Sequence, residues 1–152
     1  MKYLVMAASV VLVLAGCGKS TQSNKNKNSH AEQQKYLPEG FKDLWLGMSF
    51  EELAELRPGI KEVNSGFDFR RTYVDNPSID GVFSVVYYVN NEGPEICYEI
   101  MIEYVSSLRR DQVAETTFGE PNYKEIEWLF DSGEKFKINC WRRRRIGIRR
   151  CF

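Results

Sequence analysis

Apolar and polar positions divide the chain into four stretches. Tyr3 to Ala15 is almost unbroken apolar sequence behind Lys2, and from Gly18 to Lys35 the only apolar side chain is Ala31. A helical pattern then begins: Phe50, Leu53, Ala54 and Leu56 fall on one stripe. Ser49 stands at the cap, Glu52 three residues on completes a capping box, and Met48 staples onto Leu53. Pro58-Gly59 ends that helix. A second helix is expected from about Leu108 to Thr117, stopped by Gly119-Glu120-Pro121.

Elsewhere the period is two, the signature of strands. Ile96, Tyr98, Ile100, Ile102 and Tyr104 alternate with Cys97, Glu99, Met101, Glu103 and Val105, which predicts one face on a core and one mostly toward water. Val82 to Val89 is apolar on both sides and reads as a central strand, and Phe67 to Val74 as an earlier one. Ile126, Trp128 and Phe130 alternate, then Phe136, Ile138 and Cys140, then Ile146, Ile148 and Phe152. Turn signals separate them at 76–77, 80–81, 90–94 and 131–133, with the arginine run making the last turn. The expected fold class is α+β: two short helices packed on one face of an antiparallel sheet of about six strands. Leu53-Ala54-Glu55 and Val113-Ala114-Glu115 lie sixty residues apart, as do Gly59 and Gly119, so either a duplicated helix-plus-strands unit or coincidence accounts for them.

The opening run is too short for a transmembrane helix, which needs about 20 apolar residues. With its positive start and small residues at Ala15 and Gly16, it has the form of a secretory signal peptide. Leu14-Ala15-Gly16-Cys17 resembles the lipobox of bacterial lipoproteins. The resemblance implies cleavage before Cys17, diacylglycerol on its sulfur and a fatty acyl group on its nitrogen. Cleavage elsewhere, with Cys17 free, is the competing reading. Several acyl chains anchor durably, since each buried methylene contributes about 0.8 kcal/mol. Gly18 after the cysteine, where such families carry an aspartate for inner-membrane retention, implies delivery to the outer membrane with the domain facing the periplasm. The chain therefore divides into a signal peptide (1–16), a lipidated cysteine with a flexible tether (17–37) and a small domain (38–152).

The zero net charge conceals segregation. Residues 38–141 hold 10 Lys/Arg and 20 Asp/Glu, whereas 142–152 hold six arginines and no acid. In a cytosolic protein Arg142, Arg143, Arg144 and Arg145 would suggest nucleic acid; export removes that partner. They either pair with the acidic body or meet anionic lipid, lipopolysaccharide or an acidic protein surface. Trp141, on the opposite parity from Ile138, is the matching candidate for an interface.

Export also favours disulfides. Three cysteines remain beyond Cys17, so one stays free or pairs between chains. Strand parity turns Cys97 and Cys151 outward and Cys140 inward, which makes Cys97–Cys151 the expected bridge if their strands are adjacent; all three as unpaired small hydrophobes is the alternative.

Trp45-Leu46-Gly47-Met48-Ser49-Phe50-Glu51-Glu52-Leu53 resembles the helix opening of the BamE-like (SmpA/OmlA) outer-membrane lipoproteins. Phe118-Gly119-Glu120-Pro121-Asn122 before Trp128 is similar to their passage into a sheet. The related β-lactamase-inhibitor-protein-like fold repeats such a helix-then-strands unit, and the long insertion between the two motifs here favours that duplicated layout.

Catalytic chemistry finds little support. The only histidine, His30, lies in the tether, so the domain offers no base for a Ser–His or Cys–His scheme and no His/Cys zinc set. Asp75 and Asp80-Gly81 lack the alternating acids of a calcium loop. Glu99 with Glu103, and Glu125 with Glu127, are carboxylate pairs of the type glycosidases use, but alternation places them on the outer sheet face. No enzymatic activity, cofactor or metal is expected. The sequence reads as a lipid-anchored envelope protein-interaction module, with an outer-membrane complex as its setting. The alternative is an inhibitor or protective lipoprotein whose acidic body captures a cationic hydrolase such as a lysozyme.

Overall fold

The computed structural model describes residues 30–125, 127–131, 135–141 and 145–150, with the backbone alone at 131, 135, 136, 140, 141 and 150. Its elements in chain order are α1 (Phe50–Leu56), β1 (Lys61–Val63), β2 (Arg70–Asp75), β3 (Val82–Asn90), β4 (Cys97–Tyr104), α2 (Ser107–Phe118), β5 (Glu127–Asp131), β6 (Lys135–Trp141) and β7 (Arg145–Arg150), preceded by a short helical stretch over 30–34. The strands form one antiparallel sheet in the order β1-β2-β3-β4-β7-β6-β5. The fold is α+β as expected, with seven strands rather than six. The additional one, β1, is three exposed residues at an edge, Lys-Glu-Val, with no apolar alternation to announce it.

Cross-strand register explains the core. Tyr73, Tyr87, Ile100, Ile148, Ile138 and Trp128 stand opposite one another in succession across six strands, and all are buried. Val85, Ile102 and Ile146 make a second inward row. Leu53 of α1 and Ala114 of α2 join the same core. Each fully buried aliphatic contributes about 1.5–3 kcal/mol relative to exposure, so these rows fix the register against one-residue slips.

The α1 cap forms as its sequence demands. The Ser49 hydroxyl accepts from the Glu52 N–H at 3.2 Å, while the Glu52 carboxylate accepts from the Ser49 N–H at 2.8 Å. α2 starts one residue before its expected first turn, capped by Ser106, and ends at Gly119 with φ +66°. That left-handed conformation carries little penalty only for glycine.

Two expectations need correction. The packed chain does not begin at residue 38. Gln33 is buried, its amide bonded to both the N–H and the carbonyl of Leu46, and Leu37 belongs to the core. Polar composition concealed this because Gln33 satisfies a loop backbone rather than adding apolar area. The segment that follows supplies Phe41, Leu44, Leu46 and Met48, all buried, from turns rather than from a helix or strand.

The other correction concerns Cys97. Tyr88 stands opposite Glu99 but Val89 stands opposite Cys97, so β4 carries one extra residue, Tyr98. This bulge reverses the alternation. Cys97 points into the core with Ile100, a free, fully buried thiol whose Sγ lies 3.6 Å from the Glu99 carbonyl. Removal from water pushes that thiol up to about 12. The expected Cys97–Cys151 bridge is therefore not formed by an outward Cys97; Cys151 and the Cys140 side chain lie outside what is described.

Candidate functional site

The outer face of the sheet gathers the chemistry. One row reads Thr72, Tyr88, Glu99, Arg149, Lys137 and Leu129 across β2, β3, β4, β7, β6 and β5. The next reads Val74, Val86, Met101, Gly147, Asn139 and Glu127, and a third joins Ser84, Glu103, Arg145 and Trp141. Alternation placed Glu99 and Glu103 here; adjacency of β4 and β7 sets an arginine opposite each.

Arg149 holds Glu99 with two bonds, Nε to Oε2 at 3.1 Å and Nη2 to Oε1 at 3.0 Å. Arg145 grips Glu103 Oε2 at 3.3 Å from Nε and 3.2 Å from Nη2. Lys137 Nζ lies 2.7 Å from Glu127, which holds that carboxyl below its ordinary range. Exposure within the first pair is unequal: Glu99 is 3% exposed, whereas 53% of the Arg149 side chain is accessible. The acids form the floor and the guanidinium groups the surface. A partner thus meets planar donors, which recognise carboxylate and phosphate.

Of the residues expected to bind, Arg145 lies in this ladder and is already paired. The backbone of Trp141 sits opposite Arg145. Arg142, Arg143 and Arg144 lie outside the described residues, as does Cys17. The glycosidase-like pair Glu99 and Glu103 is bound up with Arg149 and Arg145. Among the described residues no group of three or more His, Cys, Asp or Glu is placed to hold a metal ion, and no helix is long and apolar enough to cross a membrane. His30 stacks on Trp45 with ring centroids 4.5 Å apart.

Arg70, which the sequence did not single out, occupies the edge of the same face. Its guanidinium lies over the rings of Tyr88 at 4.4 Å, Phe67 at 4.5 Å and Phe69 at 5.6 Å. Arg57, Arg71, Arg109, Arg110, Arg145 and Arg149 each bridge a carboxylate, but Arg70 has none within salt-bridge distance among the described residues. Its Nε is buried and lacks a hydrogen-bond partner there. Tyr88, half-buried beneath it, has its phenol pushed up by loss of water, with Arg70 working the other way. The signal was present as Phe67-Asp68-Phe69-Arg70, aromatics at alternate positions before a cation, but it was absorbed into a strand assignment. On the opposite face Asp43 and Arg57 make a two-pronged pair at 2.6 and 2.7 Å, which keeps the Asp43 carboxyl below its ordinary range and ties the 38–48 segment to the end of α1.

The fold and this face thus stand on their own geometry, because comparison with known proteins finds no matching family model, no similar curated protein and no similar solved structure.

Proposed function

We propose that this chain is a lipid-anchored lipoprotein of the bacterial cell envelope whose head is a non-enzymatic protein-interaction module. The observation that carries the reading is Leu14-Ala15-Gly16-Cys17 at the end of a short apolar run, followed by a polar tether. Removal of 1–16 and acylation of Cys17 leave the head on the periplasmic side of the outer membrane, within reach of envelope partners. The outer sheet face supports the interaction role: acids at its floor and arginines above them match the make-up of binding surfaces.

The strand order favours a duplicated origin. Each helix precedes a three-stranded meander, α1 before β2-β3-β4 and α2 before β5-β6-β7, and the meanders meet at β4 and β7 with β1 added at one edge. This layout agrees with the resemblance to β-lactamase-inhibitor-like proteins, and it keeps the second reading in play. In that reading the acidic body, 10 cations against 20 acids over 38–141, captures a cationic hydrolase such as a lysozyme. The arginine turn remains a proposal for anionic lipid or lipopolysaccharide.

Intact mass of the protein isolated from cells tests the address. The expected product lacks 1–16 and carries the acyl groups on Cys17, and Cys17→Ser shifts the chain to the soluble fraction. A retained leader, or an unmodified Cys17, overturns the reading. Crosslinking of the membrane-bound protein then separates the two functions. Co-purification with an outer-membrane assembly, without inhibition of purified hydrolases, removes the second.

A further inference from the structure

From Phe67, Phe69 and Arg70 at the end of the sheet where the anchoring tether enters, we infer that the β1–β2 loop docks on the membrane surface and seats Arg70 against a phospholipid phosphate. The inference rests on the lipid-anchor reading and adds an orientation to it.

Three observations converge. Phe67 and Phe69 are 51% and 53% exposed on a loop, so both are large apolar residues open to solvent. Arg70 between them and Tyr88 is held by rings instead of a carboxylate, which leaves a fixed guanidinium ready for an external anion. The third is where the chain enters. His30 stacks on Trp45, and Gly47 donates from its N–H to the Cys97 carbonyl at 2.7 Å. Phe69 accepts from the Asn91 N–H at 3.0 Å, so the entry point and the loop flank the same turn between β3 and β4. Only residues 18–29 separate Cys17 from His30, so an anchor at Cys17 holds this end of the head near the bilayer.

Apolar rings beside a cation suit the headgroup boundary: the rings enter the acyl border and the cation stays with phosphate. Asp68 and Glu92 are also exposed at this end, so it is not a cationic patch. The mixed charge fits a zwitterionic headgroup, phosphate on Arg70 and ammonium beside the acids. Attachment is therefore expected on phosphatidylethanolamine without added acidic lipid and with little salt dependence, unlike attraction to an anionic surface.

The full-length, cell-derived protein is reconstituted into phosphatidylethanolamine/phosphatidylcholine vesicles with brominated acyl chains. Phe69→Trp and Phe67→Trp serve as reporters, read against the wild-type tryptophan background. Leu108→Trp is the control, 69% exposed and at the opposite end of β4. Flotation reports the anchor; quenching reports the contact. The expected result is flotation of all variants, with a blue shift and loss of emission at positions 67 and 69 only, and with the loss at 69 reduced by Arg70→Glu. Flotation with equal emission at 69 and 108 overturns the docking and leaves the anchor intact. Failure of the wild type to float removes the anchor and the docking together. A photoreactive residue at 69 that yields a discrete protein adduct in whole cells assigns the loop to a protein partner instead, and likewise overturns the inference.

Discussion

The two faces of the sheet are built from the same strands at alternating positions, yet they are held by different physics. The inner face is a continuous apolar row from Tyr73 to Trp128, stabilised by removal of area from water. The outer face is held by pairing: Glu99 with Arg149, Glu103 with Arg145, Glu127 with Lys137. An apolar row loses stability in proportion to the atoms removed. A paired row loses most when one partner goes and the other stays buried. The faces should therefore respond differently to truncation, and the outer one alone can exchange internal partners for external ones.

The largest contrast is kinetic. A Cys97 thiol pushed up to about 12 is almost wholly protonated at pH 8, so the thiolate fraction falls on the order of a thousandfold below that of a free cysteine. Alkylation followed by peptide mapping should show Cys97 protected in the folded protein and modified on unfolding. Rapid native labelling would mean that the β4 bulge does not hold Cys97 inward. Next comes Ile100→Ala, in the middle of the inner row, which should cost about 2–5 kcal/mol in chemical denaturation.

Arg149→Ala should cost about 1–3 kcal/mol by stranding a desolvated Glu99 carboxylate, and adding Glu99→Gln should recover part of it. Full additivity of the two changes would show that the outer pair is solvated. The smallest effect is on pH dependence at the Asp43–Arg57 pair, whose carboxylate is far more exposed than that of Glu99. The Asp43 carboxyl is depressed in the folded state, so its stabilisation is complete above its unfolded value near 4 and disappears as pH falls through the lower folded value. Arg57→Met should flatten the acid limb of the stability curve by about 1 kcal/mol or less.

Elements with local signals were legible in the sequence. The Ser49–Glu52 box specified α1, an apolar run marked β3, and alternation marked most of β4. What stayed hidden depended on non-local contacts. β1 has no buried side chain, so its three residues are strand only because β2 is beside them. The 37–48 segment reaches the core through turns, which no helix or strand signal announces. Cys97 was placed outward because parity assumes one residue per step, and Tyr98 breaks that count. At the site, alternation put Glu99 and Glu103 on the outer face, and charge segregation left the arginines either the acidic body or an external anion. Which arginine meets which glutamate required knowing that β7 lies beside β4.

That β4–β7 adjacency has a bearing on assembly. The last strand in chain order lies in the middle of the sheet, joined to residues 42 to 50 positions earlier. A chain that emerges amino end first presents β4 with an open hydrogen-bonding edge until β7 follows and closes it. Closure between such distant segments is slow compared with local hairpins, and an open edge is a template for wrong pairing. The interval between release of β4 and arrival of β7 is thus when a holding factor would have most to protect.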